Sequence, residues 1–260
     1  MSTATAAMPA RVRPPRALLG AIAAAWALAI IAEATGNAER LHHDALIEHG
    51  PPLPVALALA LAAWGAMTVA MMLPSSLPLV RLFAHASTAQ PRPRAAIASF
   101  LSGYLLVWTG FATLAFLGDI AVHRVLQASP SLHEQAWLIG GAVLALAGAF
   151  QFTTLKEACL RQCRHPGAFM LRYYERGPRG AVRLGARHGL FCVGCCWALM
   201  LVMFAVGVAN LVAMALLTAL MVHEKTRPLG ARGVPLTGVA LLAAAAIVLA
   251  HGAITAGAAG

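Results

Sequence analysis

The chain has 260 residues, of which 60% are hydrophobic and 11% are charged, and its formal net charge is +10. A soluble domain of this length carries about 25% charged residues on a polar surface, so the composition excludes an ordinary soluble domain and predicts a surface that faces lipid. The basic residues lie between apolar runs, as topology charges do, and form no separate basic domain. This pattern excludes nucleic acid as a partner and indicates the lipid bilayer instead.

The chain begins with a basic tail over residues 1–16, which is expected to be cytoplasmic, followed by an apolar run over 17–34. Ala32, Glu33 and Ala34 resemble a small-x-small cleavage site, but the run is long for a signal peptide. A retained helix is therefore favoured over a cleaved signal, and the remaining topology is the same in either case. Residues 17–260 are expected to form a single transmembrane helical domain.

Further apolar runs have about the 20 residues that a helix needs to cross a bilayer. Pro74 and Pro78 follow the second run and are expected to end its helix. The stretch over 189–222 would be about 50 Å long as one helix, so a break is expected near Gly207 and Asn210. The predicted fold is an all-α, polytopic transmembrane bundle of about seven helices, over residues 17–34, 53–73, 96–121, 136–153, 189–206, 209–223 and 234–254.

The distribution of basic residues predicts the orientation of this bundle. Cytoplasmic segments carry the excess of Lys and Arg. Seven helices with the N-terminus inside and the C-terminus outside place every Lys and Arg except Arg40 and Arg124 on the cytoplasmic side. This side includes a basic loop over 154–188, and Lys225 is counted among the loop charges. The predicted location is the inner (cytoplasmic) membrane of a bacterium, crossed several times.

The segment between the first two helices contains His42, His43 and Asp44. In the predicted topology this segment is external. Such a group could capture a metal ion, but a hydrated loop is the commoner arrangement and is favoured here.

All five cysteines lie within the window from Cys159 to Cys196. An odd count in a narrow window argues against a secreted disulfide framework. Cys159 and Cys163 are four residues apart, as are Cys192 and Cys196, with Cys195 three residues after Cys192. On helices, each group projects toward one side. Soft thiolates favour Cu(I) or Zn(II), so two such groups brought together predict a metal site with all five cysteines as ligands.

The surroundings of the cysteines support this interpretation. Lys156, Arg161 and Arg164 are cations, which favour the metal-binding thiolate form of a nearby cysteine, and His165 or His188 could replace one thiol as a ligand. The competing interpretation is that each cysteine packs as a small hydrophobic residue. Two helically spaced pairs and a fifth cysteine favour the metal site.

The segment from Cys192 to Cys195 is also a C-x-x-C sequence, which is compatible with a redox dithiol. A disulfide there would be transient or catalytic in the reducing cytoplasm. No thioredoxin-like pattern surrounds the motif, and no phosphate-binding glycine loop, Ser-His-Asp order or H-E-x-x-H motif occurs. An enzyme is therefore not favoured, and no catalytic residue or organic cofactor is assigned.

Methionines form a second group of soft donors. Met67, Met71 and Met72 end the second apolar run, and Met200 follows the second cysteine group on its helix. Thioethers can bind Cu(I), although methionine fills gaps in protein cores far more often. If these side chains meet the thiols, they would favour copper over zinc.

These motifs together resemble a known bacterial family, the predicted metal-binding integral membrane proteins, which form a domain-of-unknown-function family. The resemblance spans Trp64 to Arg227, and its cysteine motifs are its specific part. It implies a metal-binding role and no catalytic residue. The matching residues are Trp64-x2-Met67-x3-Met71-Met72-Leu73-Pro74-Ser75, Ser102-Gly103-Tyr104-x3-Trp108, Gln151-Phe152-Thr153-x-Leu155-Lys156-x2-Cys159-x3-Cys163-Arg164-x-Pro166, Gly189-x2-Cys192-x-Gly194-Cys195-Cys196-Trp197-x2-Met200, Asn210 and Glu224-Lys225.

The sequence therefore favours an integral membrane protein that binds a soft metal ion, copper in preference to zinc, for delivery, transport or sensing, with a metal-handling protein as partner. A membrane thiol oxidoreductase that uses Cys192 and Cys195 is one alternative. A non-catalytic accessory subunit of a membrane complex, in which the cysteines only pack, is the other.

Overall fold

The computed structural model describes residues 15–40, 43–48, 50–128, 137–206, 210–226 and 230–259. Over these residues the chain is helical and contains no strand, which confirms the all-α prediction. Eleven helices occur in the described part, namely α1 (Arg16–Ala34), α2 (Asn37–Arg40), α3 (His43–Glu48), α4 (Leu53–Ser87), α5 (Pro93–Ala128), α6 (Trp137–Phe150), α7 (Thr154–Arg164), α8 (Pro166–Tyr173), α9 (Gly177–Val206), α10 (Leu211–Thr226) and α11 (Gly230–Ala259).

Several helices are long and apolar enough to cross a membrane. Five meet this condition, over Arg16–Ala34, Leu53–Ser87, Pro93–Ala128, Gly177–Met203 and Arg232–Ala256. A sixth span results if α6 and α7, which meet at an angle of 66°, are counted together. α10 has 16 residues, about 24 Å at 1.5 Å per residue, which is shorter than a typical span. The count of seven and the orientation therefore stay predictions.

The prediction that Pro74 and Pro78 end the second helix is wrong, because both lie inside α4, which continues to Ser87. A proline within a helix leaves the carbonyl four residues earlier without its usual donor. For Pro74 that carbonyl belongs to Ala70, and it accepts a hydrogen bond of 3.1 Å from the indole Nε1 of Trp26 on α1. A donor from a neighbouring helix thus lets α4 continue, as in other helices packed within apolar bundles.

The segment over 154–188, expected to be a basic loop, is helical. It forms α7, α8 and the first turns of α9, which begins at Gly177 rather than at 189. Arg179, Arg183 and Arg187 are exposed and four residues apart, while Leu184 between them is buried, so this part of α9 is amphipathic. Its buried side packs on α5, which is why the charged stretch is folded.

α5 and α9 pack against each other at glycines. A Cβ atom on Gly185 would collide with the carbonyl oxygen of Phe100, and one on Gly103 would collide with that of Val182. Such close approach of two helix backbones is a common use of small residues in apolar bundles. Around this pair lie α4, α7 and α10, whose side chains share one continuous buried core with it.

Two further expectations concern the loops. The predicted break in the 189–222 stretch is consistent with the end of α9 at Val206 and the start of α10 at Leu211, while Gly207 lies outside the described residues. Asn210 caps α10, since its Oδ1 accepts a hydrogen bond of 3.0 Å from the Ala213 amide. His42 also lies outside the described residues.

Candidate functional site

The structure brings the two cysteine groups together. Cys159 and Cys163 lie on α7, and the other three lie on α9, with all five thiols free. Gly194 permits the approach of the two helices, because a Cβ atom there would lie 2.6 Å from the Sγ of Cys159. Cys163 lies one turn after Cys159 on α7, and its thiol lies close enough to that of Cys195 on α9 for the two to interact. Thiols separated by about 30 residues in the sequence thus share one buried region.

A second set of contacts surrounds Cys192 and Cys196, both almost fully buried. The ammonium Nζ of Lys225, from α10, donates to the Sγ of Cys192 at 3.1 Å and to the Oγ of Ser75 on α4 at 3.1 Å. It also lies 3.9 Å from the Sγ of Cys196. A positive charge beside a thiol favours the thiolate, the form of cysteine that binds metals. Three helices therefore meet at one charged sulfur cluster.

A chain of polar side chains continues from this cluster. The phenol of Tyr104 lies 3.2 Å from the Sγ of Cys192 and accepts a hydrogen bond of 3.4 Å from Ser76. The Oγ of Ser76 is 3.1 Å from the Nε2 of His188, whose ring stacks on that of Tyr104 at 5.5 Å. The hydrogen bonds hold Cys192 in place from α4 and α5, and His188 supports them from one turn away.

One methionine sulfur reaches the thiols. The Sγ of Cys196 lies 3.7 Å from the Sδ of Met72. Met67, Met71 and Met200 are buried in the same core as the cysteines. Met72 is thus in direct contact with the thiol cluster, and the roles of the other three methionines as donors stay predictions.

The basic residues also make contacts that the sequence interpretation did not include. Lys156 is fully buried, and its Nζ donates to the carboxylate of Glu224 at 2.8 Å. The Nε of Arg164 donates to the carbonyl oxygen of Glu224 at 2.7 Å. These cations therefore bind α7 to α10, while Lys225, which was counted as a loop charge, is the cation at the thiols. Removing one partner of a buried pair such as Lys156 and Glu224 leaves a charge uncompensated, which is strongly destabilising.

The roles of the two histidines that were predicted as substitutes for a thiol stay predictions. His165 is exposed and precedes α8. His188 is buried but faces Ser76 through its Nε2. Over the described residues, no three side chains of the His, Cys, Asp and Glu types are arranged to hold a metal ion. The soft donors of this site instead include a thioether, and a lysine ammonium lies between two of the thiols.

Cys192 and Cys195 face different partners. Cys192 contacts Tyr104 and Lys225, whereas Cys195 pairs with Cys163 on α7. The thiol of Cys195 also donates to the Cys192 carbonyl at 3.2 Å, so it is held along the helix axis rather than toward the Cys192 sulfur. This geometry does not favour a cycling disulfide between them.

Sequence reasoning identified the cysteines but not the groups around them. Lys225, Ser75 and Tyr104 were present in the motifs, and no spacing rule joins residues on three different helices. The available signal was the pair Glu224-Lys225 at the end of an apolar helix, where charges inside or near a bundle are expected to find specific partners.

Comparison with known proteins identifies the family. The profile of the family described as PpoB2, copper chaperone, matches residues 61–248. This match covers most of the chain, including every cysteine and every contact of the thiol cluster described above, and the chain belongs to that family. No protein of curated function and no solved structure matches the chain. The expected metal-binding family is thereby confirmed at the level of metal handling.

Proposed function

With membership of a copper chaperone family as the premise, we propose that this protein binds Cu(I) inside a membrane bundle and passes it to another metal-handling protein. The proposed ligands come from the two thiol groups, Cys159 and Cys163 on α7 and Cys192, Cys195 and Cys196 on α9. Met67, Met71, Met72 and Met200 are the secondary donors. Copper is the substrate in this proposal, and no catalytic step is assigned.

The observation that carries the proposal is the meeting of thiols from α7 and α9 in one buried region, at Gly194 and Cys195. If the cysteines only packed as small hydrophobic residues, nothing would require the two groups to lie next to each other. Thiolates and thioethers are the donors that select Cu(I) among biological metals.

Electrostatics favours a monovalent metal ion over Zn(II). A Cu(I) ion held by two thiolates forms a unit with one net negative charge, and the Lys225 ammonium lies 3.1 Å from one of those sulfurs. A buried charge is tolerated when a partner compensates it. A divalent ion beside a lysine ammonium would need further thiolates to reach the same balance, and the thioether of Met72 supplies no charge.

The location proposed for this chemistry is the bacterial cytoplasmic membrane. Five long apolar helices expose large hydrophobic side chains such as Leu106, Leu114 and Ile247, which lipid would cover. The thiol cluster lies at the end of α10, where Lys225 is in the last turn. The positive-inside rule would place this end at the cytoplasmic face.

Metal analysis of the purified protein tests the proposal. The protein is loaded with Cu(I) without oxygen and compared with a variant in which all five cysteines are changed to serine. We expect the variant to bind much less Cu(I) than the wild type. The wild-type protein should also transfer its Cu(I) to a chelator, as a protein that passes copper on must. Met170→Leu is the matched control, since Met170 is buried on α8. Equal copper content in the wild type and the serine variant would overturn the proposal.

A further inference from the structure

The helix faces that carry the thiol cluster continue into methionines. On α10, Met221 and Met214 precede Lys225 by four and eleven residues. On α9, Met203 follows Cys196 by seven residues. Spacings of 4, 7 and 11 residues return to the same face of a helix. All three methionines are at most 1% exposed, so these two faces are lined with buried thioethers beyond the cluster.

The same arrangement occurs on α4. Met71 precedes Ser75 by four residues, and Met67 precedes Met71 by four, and both are buried. Thr68, seven residues before Ser75, is fully buried, and its hydroxyl has no hydrogen-bond partner within the described residues. Leaving a hydroxyl unpaired in an apolar interior costs free energy. A lone polar oxygen at this level indicates a place that an additional occupant would complete.

These methionines lie on the same side of the thiol cluster. α4 runs antiparallel to α9, because Met72 contacts Cys196 while Ser76 contacts His188. Four residues separate the end of α9 at Val206 from the start of α10 at Leu211. α10 then returns to the cluster at Lys225, so it is also antiparallel to α9. The turns that lead away from the cluster therefore run toward the beginnings of α4 and α10 and the end of α9, where the methionines occur.

We propose that these thioethers form a second binding site for a soft monovalent metal ion, deeper in the bundle than the thiols. Its donors are Met203 of α9 and Met214 and Met221 of α10. Thioethers carry no charge and cannot compensate a divalent ion in an apolar interior, so the ligand class is Cu(I) or Ag(I) and excludes Zn(II). The inference rests on the proposed function and extends it from one copper position to two.

The five-cysteine-to-serine variant separates the two sites. A thiol must lose its proton to bind a metal, whereas a thioether has no proton to lose. We therefore expect this variant to retain a portion of Ag(I) binding that does not change between pH 5 and pH 7. Adding Met203→Leu, Met214→Leu and Met221→Leu should abolish that portion, and adding Met170→Leu should leave it intact. In the cysteine-containing background, the triple leucine variant should keep its thiol-bound Cu(I).

A second measurement covers the case in which the triple variant does not fold. The five-cysteine-to-serine variant, labelled with selenomethionine and loaded with Cu(I), should show copper–selenium scattering in its X-ray absorption spectrum. The inference is overturned if the five-cysteine-to-serine variant binds no Ag(I), if the three methionine-to-leucine substitutions leave its Ag(I) binding unchanged, or if copper bound to it has no selenium neighbour. The proposed function is tested separately, by the difference in bound Cu(I) between the wild type and the five-cysteine-to-serine variant. A failure of the proposed function can therefore be distinguished from a failure of this inference.

Discussion

Lys225 carries a positive charge to the centre of the thiol cluster. Its Nζ is 3.1 Å from the sulfur of Cys192 and 3.1 Å from the hydroxyl of Ser75, and its side chain is almost fully buried. An ammonium group in such a place requires negative charge nearby, and two thiolates that hold a monovalent ion supply it. We infer that Lys225 balances the copper–thiolate unit rather than blocking it.

Lys225→Leu tests this role. Leucine removes the charge and, unlike methionine, adds no thioether that could bind Cu(I), so a copper–thiolate unit with one net negative charge would lose its counter-charge. A charge pair near 4 Å is worth about 1 kcal/mol in water and about 4 kcal/mol at an effective dielectric constant of 20, and 1.4 kcal/mol is tenfold in affinity. We expect Cu(I) affinity to fall by about fivefold or more, measured by competition with a chelator.

Lys225→Arg is the charge-retaining comparison and should bind Cu(I) more tightly than Lys225→Leu if charge is what matters. An unchanged or higher affinity in Lys225→Leu would show that the ammonium competes with the metal instead of compensating it. Retention of the size-exclusion profile of the wild type establishes that the variant is folded.

At the scale of helices, the site depends on how closely α7 approaches α9. Gly194 faces the Sγ of Cys159, and Gly185 and Gly103 set the contact between α9 and α5. The first of these glycines joins the two cysteine groups, and the others position Tyr104 beside Cys192. The helix contacts and the metal site are therefore expected to respond to the same substitutions.

Gly194→Ala tests this dependence. The added Cβ would lie 2.6 Å from the sulfur of Cys159, so the Cys159 side chain or α7 itself must shift, at a cost of about 1–3 kcal/mol for overpacking. We expect a lower melting temperature in detergent and weaker Cu(I) binding than in the wild type.

Gly110→Ala on α5 is the matched control, because an added Cβ there meets no atom within 4 Å. Alanine is the better helix former by about 1 kcal/mol, so this variant should be at least as stable as the wild type. If Gly194→Ala binds copper and melts as Gly110→Ala does, the close approach of α7 and α9 is not needed for the site.

The parts of the fold that depend on the pattern within one segment were predictable. The parts that depend on contacts with other helices were not. Long apolar runs predicted α1, α5 and α11, because an apolar run of spanning length can be recognised from the composition of a single segment. The continuation of α4 through Pro74 depends on the Trp26 indole, which lies 44 residues away in the chain. A proline rule applied to one segment cannot include a donor from another helix.

The site follows the same division. Helical spacing grouped the cysteines and methionines correctly, because each group lies on one helix. Lys225 was read as a topology charge, since a basic residue near the end of an apolar helix usually is one. Its place among the thiols depends on the packing of α10 against α4 and α9, and no local pattern contains that information.

For the whole molecule, the topology depends on whether α10 crosses the membrane. This helix has 16 residues and is about 24 Å long, against a hydrocarbon core of about 30 Å. If α10 crosses the membrane, with its buried Glu224 and Lys225 at the cytoplasmic end, α11 must cross outward and the C-terminus is external. If α10 only enters the membrane and returns, α11 crosses in the opposite direction and the C-terminus is cytoplasmic.

Single cysteines introduced into the five-cysteine-to-serine variant decide between these topologies. Pro51→Cys, Ala89→Cys and Thr255→Cys place a thiol before α4, between α4 and α5, and near the end of α11, and all three positions are exposed. With seven crossings, a membrane-impermeant maleimide added to spheroplasts should label the first and third thiols, and the second only after the membrane is opened. The positive-inside rule gives the reason, because this arrangement keeps all but two of the Lys and Arg residues on the cytoplasmic side. Labelling of Pro51→Cys without Thr255→Cys would instead indicate an even number of crossings and a re-entrant α10.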